Sequence, residues 1–557
     1  MKHQRAMSIG VALLALALAA CGDQKREEVK REEAKPDAPT AGDRPLLEGL
    51  SAHSMPITTS SPLAQKYFDQ GLRLVYAFNH PEAVRAFEAA GNADPDCAMC
   101  AWGVALALGP NINAPMDPNA VAPAVAAVER AQARAAKATA REQAYIAAVA
   151  ARYSAAPDAD RAALDRAYAE QMRALAKQYP DDLDAQTMTA EAVMDLSPWD
   201  YWTKDGEEKA TTAEIVGLLE GVLERDPNHP GANHYYIHAV EASREPGRAL
   251  PSAKRLETLA TSAGHLVHMS AHTYMRVGHY AAASIANERG AKADEEYMAW
   301  CRSGGPYVAA YYPHNLHFLW ASETMEGRSA AAIATARKLQ PRLTPEAIAE
   351  FPPAEEYVPV MYYALLRFGK FDEMLAEPAP LEKQRYATGM WHYARGMAFA
   401  GKGQLDDARA EHAKLDASAA EPETKALVFP SATAATLLEL ASHVLTAEVA
   451  EREGKHAEAL AALETAKGLE YGLNYTEPPP WYLPVRQIEG STLLSMNEPA
   501  KAEVAFREDL VIYPENGWAL FGLAESLRAQ GKPADDEQKR FEAAWTAADI
   551  KLEKPRF

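Results

Sequence analysis

Nine of the sixteen histidines in this 557-residue chain fall between His229 and His317. Most recur at spacings of three, four or seven residues: His234 and His238; His265, His268, His272 and His279; His314 and His317. On a helix such residues share a face, because each step turns the chain by about 100°. Imidazole nitrogen is an ordinary ligand of Zn, Cu or Fe, and it also hydrogen-bonds organic and peptide ligands. Glu241 lies three residues beyond His238. The pattern predicts a transition-metal or ligand site, with the HxxH pairs His265/His268 and His314/His317 as the first ligands. His234, His238 and His272 come next, and Glu241 serves as a further ligand or a general base. With more than four donors available, one mixed site or two sites are both open.

The elements that carry these residues belong to a helical repeat. The clearest unit is VIYPENGWALFGLAESLRAQGK, Val511–Lys532, with the WxxxGLAxxLxxxG character of a tetratricopeptide repeat. A second runs from Gly389 to Ala417, with Gly396, Gly403, Leu405 and Ala408 at repeat positions 8, 15, 17 and 20. Small residues at 8 and 20 let two helices approach closely, and a glycine at 15 relieves the turn between them. The same frame fits Gly71, Ala83 and Phe87, then Trp102 and Gly103, then Gly278 and Gly327. Further units are expected near 451–468 and 484–514. The expected fold is all-α, a tetratricopeptide-repeat α-solenoid with a concave inner surface. Irregular insertions at Gly109–Pro118 and Ser197–Glu208 interrupt it. No phosphate-binding loop, dinucleotide fingerprint, HExxH or GxSxG element is present.

In such repeats the concave face is lined by positions 2, 5, 9, 12 and 13 of the first helix. Units starting at Pro230, Gly264 and Pro313 put His234, His238 and Glu241 at 5, 9 and 12. They put His265, His268 and His272 at 2, 5 and 9, and His314 and His317 at 2 and 5. Glu191 and Asp195 follow at 9 and 13 of the preceding unit, and Tyr235 and Arg276 alternate with the imidazoles as a ligand groove requires. His229, just before Pro230, is expected to cap a helix, and His279 to sit in a turn outside the groove. Asn228, Asn233 and Asn315 are expected to orient ligands, and the two insertions with Tyr311–His317 to close the groove. His53, His392, His412, His443 and His456 read as ordinary core or surface residues.

Residues 1–20 read as a leader: a basic start, the apolar run Val11–Ala20, and LAAC at Leu18–Cys21. Small residues before a cysteine resemble a bacterial lipoprotein signal, with cleavage before Cys21 and lipid on its sulfur. Glycine at residue 22 favours the outer membrane, periplasmic face. Residues 21–50 read as a charged, proline-containing tether. Residues 51–380 then hold the histidine-bearing repeats and 381–557 the C-terminal repeats. The net charge of −20 argues against nucleic acid and against a polybasic membrane patch, which leaves the lipid as the only membrane contact. Cys97-Ala-Met-Cys100, at repeat positions 2 and 5, has the spacing of a disulfide or redox pair in an oxidising compartment, or of two small buried residues. Cys301 has no clear assignment.

Several stretches resemble a family of bacterial secreted tetratricopeptide-repeat proteins: Asn228–Ser243, Ala263–Tyr280, Phe78–Met116, Ser197–Trp202, Pro478–Leu494 and Tyr513–Leu527. The resemblance covers nearly the whole mature chain and implies the repeat fold. It carries no activity, so the histidine roles rest on geometry. Such sequences often read Pro-Ser where Ser270 and Ala271 stand here, so a more regular helix is expected at that point. The favoured function is binding of a protein or small-molecule ligand in the histidine-rich groove, with a transition metal (Zn, Cu or Fe). A metal-dependent oxidoreductase or hydrolase, and a scaffold without metal, are the alternatives.

Overall fold

Helix after helix follows from the sequence pattern, several of them started by a capping residue. In the computed structural model the described residues are 46–301, 307–381 and 383–557. The leader, Cys21 and nearly all of the tether lie outside them, as does the side chain of Cys301. Ser61, Asn79, Asp182, His229 and Asn516 each cap a helix by accepting a backbone N–H. Successive helices pack against one another in pairs from Pro62–Tyr76 through Asp535–Ala544. The described residues contain no β-sheet, only three isolated bridges. Two of these bridges, Asn111 with Ala114 and Trp202 with Glu208, lie in the two insertions. No described helix is long and apolar enough to cross a membrane. Residues 45–557 form one contact unit.

The repeat is legible in its packing. Phe87 is wedged between two glycines: a Cβ added at Gly71 would lie 2.7 Å from its ring, and one at Gly103 only 2.3 Å. Phe506 plays the same part between Gly490 and Gly522, at 2.6 and 2.3 Å. One aromatic knob thus locks two consecutive first helices, and only a residue without a side chain fits beneath it. Gly103→Ala is expected to destabilise the chain by about 1–3 kcal/mol through overpacking, read as a lowered unfolding midpoint. At the turns, Gly278, Gly327 and Gly403 hold φ of 78°, 70° and 77°, a left-handed backbone that glycine adopts without strain.

The C-terminal repeats return to the middle of the chain. Trp518 donates its indole N–H to the Thr324 carbonyl (3.1 Å), and Tyr280 donates to the Pro514 carbonyl (2.8 Å). Arg367 donates to Gln487 Oε1 at 2.8 Å. These contacts tie the C-terminal repeats to the histidine-bearing helix that holds Thr324 and to its neighbours.

Candidate metal centre

Three helices bring the imidazoles together: Pro230–Val240, Gly264–Arg276 and Tyr312–Met325. The Gly264–Arg276 helix is unbroken through Ser270 and Ala271, as expected without the Pro-Ser pair. The rings form two sets, His234 with His238 and His265, and His268 with His272 and His314. Within each set one ligand atom per residue lies within 4.8 Å of the others. The sets adjoin: the ring centroids of His238 and His272 are 5.4 Å apart, and those of His265 and His268 5.8 Å.

Neither HxxH pair stays together. A spacing of three leaves side chains about 60° apart on a helix, whereas a spacing of four leaves about 40°. His234/His238 and His268/His272, spaced by four, each share a set. His265 and His268 divide between the sets. His314 joins the second, but His317 turns away and stacks on Trp320 (5.5 Å, 9°), with its Nδ1 buried and unpartnered. Burial pushes His317 down to about 3, so it is neutral.

The outer nitrogens of four rings are committed. His234 Nδ1 lies 2.7 Å from the Tyr76 carbonyl, which can only accept. His238 Nδ1 and His272 Nδ1 donate to the two oxygens of Glu241 at 2.8 and 2.7 Å. His268 Nδ1 lies 2.7 Å from Asn287 Oδ1. Asn315, oriented to satisfy its neighbours, donates to the same oxygen at 3.2 Å, which marks that atom as an acceptor. A neutral imidazole that donates from Nδ1 carries a bare lone pair on Nε2. Burial, with the neighbouring histidines, pushes His234, His265, His268 and His314 well below the ordinary value. His238 is also lowered by burial, although Glu241 opposes the shift. Burial alone would raise Glu241, but His272 and His238 hold it down at about 2, so it is a carboxylate.

The inner nitrogens converge. His272 Nε2 and His268 Nε2 are 3.0 Å apart, and His265 Nε2 and His234 Nε2 3.2 Å. His238 Nε2 is buried without a partner. Two nitrogens bound to one tetrahedral ion at 2.0–2.1 Å would stand about 3.3 Å apart, close to both distances. The residues therefore fit a first-row transition ion, with outer nitrogens held as metal-binding histidines are usually held.

The walls are aromatic. Phe78, in a left-handed backbone at φ 55°, lies over His234, His238 and His265 with centroids 4.5, 6.2 and 5.6 Å away. Trp199 packs edge-on against His238 at 4.9 Å and donates its N–H to Asn113 Oδ1 (3.1 Å). Tyr311 packs on His265 at 4.7 Å, and Asn113 reaches its hydroxyl at 3.4 Å. Both insertions and the Tyr311 segment thus meet over the first set. The inner surface here is filled rather than open: His234, His238, His265, His268 and His272 are at most 3% exposed, and His314 is half-buried.

The remaining residues fall around this core. Tyr235 stacks on Phe78 at 5.7 Å. Arg276 donates to the Glu241 carbonyl (2.9 Å) and sits 3.8 Å from Glu477, which ties the centre to the segment before Pro478. Glu191 and Asp195 are not in either imidazole set. Burial raises both, Arg152 opposes the rise, and Arg152 forms an ion pair with Asp195. Asn228 bonds only locally through its backbone, and Asn233 donates to the Pro227 and His229 carbonyls. His279 is exposed in its turn. Cys97 and Cys100 are joined by a buried disulfide at the start of the Ala98–Ala107 helix.

A third cluster, His53, Asp184 and His229, was not legible in the sequence. Asp184 Oδ1 accepts from His53 Nε2 (2.8 Å), Tyr76 (2.6 Å) and His229 Nε2 (3.3 Å). His229 Nδ1 caps its helix by accepting the Ala232 N–H at 3.1 Å, so its Nε2 must carry the proton that it gives Asp184. No lone pair remains on that ring for a metal. The cluster is a clasp between the N-terminal segment and the repeats. His53 lies 131 residues from Asp184, and no spacing rule links them.

No family model and no curated protein matches the chain. Solved structures are similar to it over most of its length at very low identity. The human IFIT1 dimer with m7Gppp-AAAA has a TM-score of 0.34 and 10% identity, over 89% of this chain and 92% of that one. The APC/C hetero-tetramer Cut9-Hcn1 gives 0.33 and 11%, over 87% and 80%. Yeast Tom70 gives 0.29 and 11%, over 86% and 90%. Likeness at this level bears on none of the chemistry. The repeat fold rests on the helix pairs and aromatic knobs of the chain itself.

Proposed function

We propose that this chain is a metal-dependent binding protein, which holds a transition metal inside a tetratricopeptide-like solenoid and receives a ligand from the side of His314. The observation that carries the reading is the facing pair His268 Nε2 and His272 Nε2, 3.0 Å apart with both outer nitrogens engaged. Two bare lone pairs at that distance repel unless a cation lies between them. A metal ion between the rings relieves that repulsion; a proton on His272, paired with Glu241, would do so as well. The test is metal content after purification without chelator and after reconstitution with zinc or copper. The expected result is bound metal whose amount falls in His268→Ala; a metal-free chain after reconstitution would sink the reading.

A second reading has one specific support. If the Asn287 amide turned round, its NH2 would meet His268 Nδ1, and a proton on His268 Nε2 would bond His272. The Asn287 Nδ2 atom has no partner as placed, which favours that turn. The centre would then be a hydrogen-bonded network in a scaffold without metal. Asn287→Asp separates the two, because a carboxylate can only accept: it preserves metal binding in the first reading and breaks the network in the second.

We further propose a periplasm-facing lipoprotein, lipidated at Cys21, on the strength of the LAAC sequence. The mass of the mature N-terminus tests this. An unmodified N-terminus would refute it.

A further inference from the structure

We propose that the interior holds two adjacent ions, one in each three-imidazole set, with Glu241 linking the two; this deepens the metal reading above and rests on it. Each set contains one nitrogen pair at ligand spacing, 3.2 Å for His234/His265 and 3.0 Å for His268/His272. Each adds a third imidazole within 4.8 Å: His238, whose inner nitrogen has no partner, and His314. Among the described residues no group brings all four of these nitrogens within reach of one ion. Glu241 accepts one Nδ1 proton from each set, from His238 and from His272. A carboxylate placed this way raises the basicity of one ligand on each ion and offsets part of the charge of both. Three protein ligands per ion leave a coordination position open, the arrangement that admits an exogenous donor. In the second set the third ligand is His314, the least buried residue of the six, so a small anionic or nitrogen donor is the class of ligand that fits there.

A competing arrangement uses the same residues for one ion, bound by His238, Glu241 and His272. It requires Glu241 as a direct ligand and leaves the two close nitrogen pairs as N–H···N hydrogen bonds.

The experiment is titration of the metal-free full chain with Co(II) alone, read by bound metal per chain and by the visible bands of low-coordinate cobalt. The wild type is expected to take two ions. His265→Gln and His314→Ala are each expected to take one, and Glu241→Gln two with roughly 10–100-fold weaker affinity. One ion in the wild type, abolished by Glu241→Gln, would overturn the pair and establish the single mixed site. No ion in the wild type would overturn the metal reading itself. Should either single variant fail to fold by circular dichroism, the wild-type stoichiometry still decides between two ions and one.

Discussion

Replacing Glu241 with alanine is expected to lower the stability of the metal-free chain by about 3–6 kcal/mol. The side chain is 1% exposed and accepts two hydrogen bonds, from His238 and His272. Each hydrogen bond to a buried charged acceptor contributes about 1.5–3 kcal/mol, and its loss strands a buried N–H. Glu241→Gln is expected to be milder for stability and worse for binding. The amide keeps one acceptor but presents an N–H to the other ring. That ring must then move its proton to Nε2, where it occupies the lone pair that a metal needs. Unfolding midpoints and metal affinities of the two variants check this ordering. A Glu241→Ala variant as stable as the wild type would show that the carboxylate is not holding the rings.

Acid is expected to unfold the metal-free chain at a mild pH. Burial holds His80, His234, His238, His265, His268, His314 and His317 below their ordinary values. In the unfolded chain each returns to about 6.5. Between the folded and unfolded values the unfolded state binds more protons, so stability is full above about pH 6.5 and falls as the pH drops. By pH 5.5 each strongly lowered imidazole has withdrawn about 1.4 kcal/mol, and His238, whose fall Glu241 opposes, less. Over the six strongly lowered rings the loss is on the order of 8 kcal/mol, as large as the whole stability of many domains. His53 works the other way: burial would lower it but Asp184 raises it, so its contribution survives below pH 6.5. Glu241, held at about 2, contributes above its unfolded value near 4.3 and is lost only as the pH falls towards 2. Circular dichroism should therefore show loss of helix between about pH 6.5 and 5. Bound metal, which competes with protons for the same nitrogens, should move that transition to lower pH. A metal-free chain intact at pH 4 would contradict the assignment of neutral, buried imidazoles.

The sequence periodicity identified which helices carry the rings and which of their faces turns inward, because a repeat frame converts spacing into direction. It did not resolve how far adjacent positions diverge. A three-residue step and a four-residue step differ in angle by enough to send His265 and His268 to different sets and His317 to Trp320. The groups that fix the outer nitrogens were less legible still. Glu241 lies near His238 in sequence, but the Tyr76 carbonyl comes from 158 residues before His234, and Asn287 from the helix after His268. A backbone carbonyl has no signature in a sequence, and an asparagine inside an alanine-rich helix has little. Phe78 in a left-handed backbone, the filling of the inner surface and the return of the C-terminal repeats all depend on tertiary contacts that no local pattern encodes. The insertions are legible as interruptions because their composition breaks the helical period, and Asn113 and Trp199 lie in them.

The central claim is that inner imidazole nitrogens of this solenoid bind a transition metal. X-ray absorption at the zinc edge of the reconstituted chain tests it most directly. A first shell dominated by about three imidazole nitrogens at about 2.0–2.1 Å, with the outer scattering of the rings, is expected. A shell of water and carboxylate oxygen without imidazole scattering would contradict it.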